Sequence, residues 1–341
     1  MSTPIKSASS LLLNARLVSP KLLSPVENKI CYTSTPKRVP RQSLNFSHDF
    51  QAHNFVKNPI QIKVTQENLA EDSLIIDSPH KSELLTYGLS KYDLLYILGK
   101  GSFGTVIKGN YHGKIVAVKI IKSKSGCVNE SNALNLRHEN IITVFDIIVS
   151  RKYSLVTMEY HKDSKNLQSV IDDASAVLDR KTVVRFSKDV ASGLKHCHEN
   201  GVLHLDIKPK NILLCDNKVC KICDFGNSVK ASNATEMCTF QGTVPYTAPE
   251  ILRGKLPSTK SDIYSLGILI WQMIYRKSPY EFSNSEVIIY KVVKFNFRPP
   301  LDTKDEVLAR LCCLCWDENS NKRPSAAQIY DLLNGVVFNE K

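Results

Sequence analysis

The chain has 341 residues, of which 43% are hydrophobic, and its 45 lysines and arginines against 33 aspartates and glutamates leave a net charge of +12. That length suits two domains, and that apolar fraction can build a core. An excess of +12 suits nucleic acid, an anionic membrane or an acidic partner, but no Lys/Arg block with interleaved aromatics stands out. A diffuse basic surface is expected, with no specific nucleic-acid or membrane partner.

Residues 1–88 carry Ser19-Pro20, Ser24-Pro25, Thr35-Pro36, Pro40, Pro59 and Ser78-Pro79 with little sustained periodicity, so most of this stretch is expected to be disordered. Leu11-Leu12-Leu13 is too brief for a signal-peptide core and lacks a cationic start. The Ser/Thr-Pro steps are candidate phosphorylation sites or simply keep a linker extended. Phe46, Phe50, Phe55 and the run from Ile60 to Val64 can dock on a neighbouring domain or a partner.

A β-branched stretch around 94–121 then predicts strands. Within it, Leu98 precedes Gly99-Lys100-Gly101-Ser102-Phe103-Gly104-Thr105-Val106. Glycines let a backbone approach phosphate oxygens without a Cβ, so two strands joined by this turn can lay amides over a triphosphate. Taken alone the motif is weak. A dinucleotide-binding reading needs a helix directly after the glycines and an acid about 20 residues on. Here that distance reaches Lys119, at the end of Ile115-Val116-Ala117-Val118-Lys119, and Gly109 and Gly113 mark a hairpin instead.

Lys119 needs a carboxylate to hold its ammonium against phosphates. Glu130 is the choice because Ala133, Leu134 and Leu136 continue from it as one helix face; Glu139, nearer the next strand, is the alternative, and either can be a solvated helix charge. Only 11 residues separate Lys119 from Glu130, which shortens the helix start. That helix is therefore expected to be less firmly docked than usual, and Glu130→Ala to cost less than Lys119→Met.

A second β-rich stretch spans 141–157, after which helical periodicity dominates, as in Val183 to His198 and Asp262 to Tyr275. Ile263 to Tyr275, interrupted by Ser265, Gly267 and Gln272, is too short for a bilayer and reads as a buried core helix. Between these helical stretches stand His204-Leu205-Asp206-Ile207-Lys208-Pro209-Lys210-Asn211 and Asp224-Phe225-Gly226. An acid to take or orient a hydroxyl proton, a lysine to meet a moving phosphate, and an amide and second acid to hold Mg²⁺ make the chemistry of phosphoryl transfer. The joint occurrence, in this order, with the upstream glycines, Lys119 and the downstream Ala248-Pro249-Glu250 is what makes the pattern specific.

These residues resemble the protein kinase superfamily over about residues 92 to 337. The variant His204-Leu205-Asp206, the run Val219-Cys220-Lys221-Ile222-Cys223-Asp224, Asp262-Ile263-Tyr264-Ser265 and Ile270-Trp271-Gln272-Met273 resemble the Mos kinases, germ-cell activators of MAP kinase cascades. The resemblance implies an α+β, two-lobed kinase fold at 89–338, with a small β-rich lobe at about 89–158 and a larger helical lobe at about 162–338. It implies Asp206 as catalytic base, Lys208 as transition-state cation, Lys119 with Glu130 as nucleotide anchor, and Asn211 and Asp224 as Mg²⁺ ligands. It further implies ATP against Leu98 to Val106, Ala117 and Lys119, with Met158-Glu159-Tyr160 as gatekeeper and hinge. Lys208 and Gly242-Thr243 resemble the serine/threonine kinases, and Glu250 is expected to pair with Arg323. Implied partners are protein substrates, MAP kinase kinases, in oocyte meiosis, for a cytoplasmic monomer. A pseudokinase scaffold, usually damaged at Lys119, Asp206, Asn211 or Asp224, and a binding protein acting through its N-terminal segment are the other classes.

Leu205 departs from the superfamily, where an arginine often receives an activation-segment phosphate at this position. Thr235, Thr239 and Thr243 remain possible acceptors without that receptor, unless Lys230 replaces it. Ten cysteines and no secretory signal suit a reducing compartment. Cys220-x-x-Cys223 lacks a second ligand pair and reads as buried strand, and Cys312-Cys313-Leu314-Cys315-Trp316 as a packed helix face.

Overall fold

The computed structural model describes residues 74–77, 96–101, 104–121, 126–149, 154–236, 242–281, 283–303 and 305–336. The Ser/Thr-Pro steps, Leu11–Leu13, the apolar residues from Phe46 to Val64, and Ser102, Phe103 and Thr239 lie outside them.

The small lobe is a six-stranded antiparallel sheet of β1 (Leu74–Asp77), β2 (Tyr96–Gly101), β3 (Gly104–Tyr111), β4 (Lys114–Ile121), β5 (Val144–Val149) and β6 (Ser154–Glu159). Its order is β1-β3-β4-β6-β5, with β2 paired to the Gly104 end of β3 and β1 to the Tyr111 end. Thus four residues of the 1–88 segment form a strand. The β3–β4 turn places His112 at φ 50° and Gly113 at φ 76°, the left-handed pair that a tight hairpin requires. Gly109, expected beside this turn, instead pairs with Val116 inside the strand. From Val116 onward both faces of β4 are buried, so its apolar run packs on two sides and Lys119 ends up inside.

Helix α1 (Gly126–Glu130) is shorter than the spacing predicts. The expected continuous face through Leu136 breaks into a 3₁₀ turn at Ser131–Ala133, although Ala133 and Leu136 are still buried. Local competition explains the break: the Ser131 hydroxyl donates to the Val128 carbonyl at 2.6 Å, and Asn129, Asn132 and Asn135 are poor helix formers.

The large lobe carries α2 (Leu167–Asp172), α3 (Arg180–Glu199), α4 (Pro249–Leu252), α5 (Thr259–Tyr275), α6 (Ser285–Phe295), α7 (Glu306–Cys315) and α8 (Ala326–Asn334). Asp179 caps α3, accepting from the Thr182 amide at 2.8 Å, and Ser258 with Ser261 forms a capping box on α5. Every residue of α5 from Ser261 to Met273 is buried, as expected of a core helix, and α3, α7 and the turns around it share that core. No helix among the described residues is long and apolar enough to cross a membrane. Short strands β7 (Lys165–Asn166), β8 (Val202–Leu203), β9 (Ile212–Leu214), β10 (Cys220–Ile222) and β11 (Val229–Lys230) frame the loops that carry the motifs. Arg323, fully buried, pairs with Glu250 at 2.7 and 2.8 Å and locks the Ala248-Pro249-Glu250 turn to the end of the domain. A buried guanidinium left without its carboxylate is costly, which is why the pair is structural.

Candidate active site

A cavity of about 370 Å³ is lined by Leu98, Gly99, Gly104, Val106, Ala117 and Lys119 from the sheet and by Asn211, Asp224 and Phe225 from the large lobe. Met158, Glu159 and Tyr160 form its side wall. Val144 and Leu213 also line it; they went unnoticed in the sequence because an apolar strand residue facing a cavity looks like any core residue. His161, Lys210 and Cys223 line it as well.

On β4, Lys119 forms an ion pair with Glu130 and another with Asp224 at 2.7 Å. Burial alone would lower the lysine pKa, but these two carboxylates hold it above the usual value, so the ammonium stays charged. Glu130 is 2% exposed and also accepts from the Phe225 amide at 3.2 Å. The expectation of a loosely docked helix is therefore wrong: a short helix is held by buried polar bonds rather than by length. Glu139 is exposed in the turn that follows.

Opposite the strands, Asp206 is held from three sides. Lys208 Nζ donates to its carboxylate at 2.7 Å, Thr243 Oγ1 at 2.8 Å and Asn211 Nδ2 at 3.0 Å, and Lys208 also donates to Thr243 at 2.8 Å. The loop geometry is strained: Leu205 sits at φ 62° and Asp224 at φ 66°, left-handed conformations that non-glycine residues seldom adopt. Fully buried Asp262 of α5 sustains the first, accepting from the Leu205 amide at 2.7 Å and the His204 amide at 3.0 Å. Burial would raise the Asp262 pKa, but His198 at 2.8 Å, with His204 and its amide, holds it below the ordinary value. The His204 ring donates to the Cys223 carbonyl at 3.2 Å and packs edge-on against Phe225, joining the Asp206 and Asp224 loops.

Asn211 offers an amide oxygen and Asp224 a carboxylate, both on the same cavity, and hard oxygen donors of this kind fit Mg²⁺ better than a softer metal. Cys220 is buried in β10, as the strand reading expects. No group of three His, Cys, Asp or Glu side chains suited to a metal occurs among the described residues, and burial pushes the Cys223 thiol up to about 12. At the hinge, Glu159 accepts from the Thr143 amide at 2.7 Å and from Lys221 at 3.1 Å, a tie that a sequence separation of 62 residues hides.

A lysine anchor, a base-like aspartate with a lysine and threonine on it, and a glycine hairpin over one cavity is a phosphotransferase arrangement, and the comparisons agree. The family model described as protein kinase domain matches residues 92–332. The chain is 35% identical over 262 residues to the serine/threonine-protein kinase mos of Patiria pectinifera, covering 71% of this chain and 74% of that protein. It is 33% identical to the mos kinase of Gallus gallus, covering 72% and 81%, and 34% identical to that of Xenopus laevis, covering 70% and 74%. This chain belongs to the Mos family of serine/threonine protein kinases. Its two-lobed α+β fold and protein-kinase activity follow from that membership.

In this kinase Leu205 does not stand idle. It is buried in a small apolar cluster with Leu203 and Ala234, flanked by Val229 and Ile251. Packing thus docks the start of the activation segment where a phosphate-arginine pair would otherwise act. Lys230 donates to the Asn200 carbonyl at 3.4 Å, so it is engaged elsewhere. The Thr235 side chain and all of Thr239 lie outside the described residues. Phosphatase-treated kinase is expected to keep most of its activity. Thr243→Ala is expected to lose about 10- to 100-fold in turnover, the loss of hydrogen bonds to charged groups. Rate measurements before and after phosphatase, beside phosphopeptide mapping, check this. A large loss restored by rephosphorylating Thr235 or Thr239 refutes it.

Proposed function

We propose that this kinase transfers the γ-phosphoryl group of Mg²⁺-bound ATP to serine and threonine hydroxyls of MAP kinase kinases, acting as a cytoplasmic monomer in oocyte meiosis. The observation that carries the chemical part is Asp206 held by Lys208, Thr243 and Asn211 at 2.7 to 3.0 Å. Asp206 accepts the substrate hydroxyl proton or orients that hydroxyl. Lys208 meets the transferring phosphoryl group, and Thr243 keeps both side chains in register. Lys119, aligned by Glu130, holds the α- and β-phosphates, while backbone from Gly99 to Val106 covers the triphosphate and the Glu159–Tyr160 backbone receives adenine. Asn211 and Asp224 would hold Mg²⁺, which would supply positive charge to offset that of the phosphates. Membership of the Mos family supports the substrate class and the meiotic setting.

Purified MAP kinase kinase, rendered catalytically dead, tests this with the full chain and ATP. Phosphate is expected on its serine or threonine residues, with incorporation by the Asp206→Asn variant lower by ~10²- to 10⁴-fold. Transfer to a generic protein substrate but not to MAP kinase kinase overturns the substrate class. No transfer to any protein would favour the scaffold reading.

A further inference from the structure

The break in α1 leaves two asparagines and a serine in an arrangement the catalytic account has not used. Asn129 Nδ2 donates to the Gly226 carbonyl at 2.9 Å. Asn132 Nδ2 donates to the Ser228 carbonyl at 3.2 Å and to its hydroxyl at 3.0 Å. The Ser228 hydroxyl in turn donates back to the Asn129 carbonyl at 2.8 Å. Ser228 is fully buried while Asn129 and Asn132 are half-buried, so an unmade bond at the Ser228 hydroxyl is the expensive one.

We propose that Asn129, Asn132 and Ser228 form a polar clamp that positions Glu130 and Asp224 for phosphoryl transfer. Glu130 lies between Asn129 and Asn132 in sequence, and Gly226 and Ser228 follow Asp224 by two and four residues. The clamp therefore fixes the backbone on both sides of Glu130 to the backbone just after Asp224. The Phe225 amide, donating to Glu130, lies inside the same loop of bonds. A helix of five residues has too few turns to orient a carboxylate by its own stability. Cross-bonds to the activation segment supply the orientation instead. Loosening either side then moves both carboxylates that hold Lys119, so the small-lobe helix and the metal-binding loop behave as one unit. The three clamp residues are positioning residues, acting through Glu130 and Asp224.

This inference rests on the Lys119, Glu130 and Asp224 assignments, and the controls separate the two. In the full chain, Asn132→Ala, Ser228→Ala and the double variant are compared with wild type and with Lys119→Met. Readouts are kcat, KM for ATP, adenosine affinity, hydrogen exchange at the Phe225 amide and melting temperature. The double variant is expected to lose about 10- to 100-fold in kcat, the effect of losing two or more partly buried hydrogen bonds. Adenosine affinity per mole of folded protein should hold within about twofold, because the hinge is untouched, and the Phe225 amide should exchange faster. The two single variants should be non-additive, since they share a bond. A double variant with kcat within twofold of wild type overturns the clamp. So does a parallel loss of kcat and adenosine affinity, which marks general loosening. If the double variant does not fold, Asn129→Ala, which removes one bond from a half-buried side chain, is judged by the same criteria. A Lys119→Met variant with wild-type kcat would instead overturn the underlying site assignment.

Discussion

Asp206→Asn is expected to lower turnover by ~10²- to 10⁴-fold, the usual worth of a positioned general base, while nucleotide affinity stays close to wild type. The asymmetry follows from where the carboxylate lies: its partners are Lys208, Thr243 and Asn211, none of which holds adenine. Asn at this position keeps the shape but is not an acceptor for a hydroxyl proton. Asp224→Asn differs, because Asp224 lines the nucleotide cavity and bonds Lys119 at 2.7 Å. It should weaken Mg²⁺-dependent nucleotide binding as well as turnover. Single-turnover rates beside ADP titrations with and without Mg²⁺ separate the two. Near-normal phosphoryl transfer by Asp206→Asn would overturn the mechanism.

Lys119→Met should collapse activity, by about 10²-fold or more, because a preorganised charge on the phosphates is lost. The fold should be weakened too, since Glu130 would be left buried without its cation, and uncompensated buried carboxylates cost about 3–5 kcal/mol. Glu130→Ala should fall about 10- to 100-fold in turnover, less than Lys119→Met. The reason is not helix mobility. With Glu130 gone the ammonium still has Asp224, but the Phe225 amide loses its acceptor and Lys119 is drawn toward the metal-binding carboxylate. Glu139→Ala, altering an exposed turn residue, should match wild type. Single-turnover rate with thermal melting checks the series, and an active Glu130→Ala beside a dead Glu139→Ala would reverse the pairing.

Much of this site is legible in the chain because phosphoryl transfer needs particular groups in a particular order: glycines on a hairpin, a strand lysine, an acid with a lysine two residues on, an amide, and a second acid. Each motif is short, so local chemistry alone announces it. Family membership could be read the same way, from runs such as His204-Leu205-Asp206 and Cys223-Asp224-Phe225-Gly226. The core helix was legible too, since the run from Ile263 to Tyr275, interrupted only by Ser265, Gly267 and Gln272 and too short for a bilayer, has few alternatives to burial.

What only the tertiary structure decided depends on residues far apart in sequence. Periodicity extended the Glu130 helix to Leu136, because apolar spacing carries no information on asparagine and serine side chains that bond elsewhere; those side chains found Gly226 and Ser228, almost a hundred residues away, and the helix stopped. The firmness of Glu130 could not be judged from helix length, since it comes from Lys119 and Phe225 rather than from the helix itself. Leu205 could be seen to lack a charge, but that Ala234 would fold over it was invisible until the activation segment had a path. Composition and motif order determined which chemistry this chain carries. Long-range hydrogen bonds and burial decided how its groups are held, because their energy depends on partners and on the exclusion of water, and neither is a property of a local stretch of sequence.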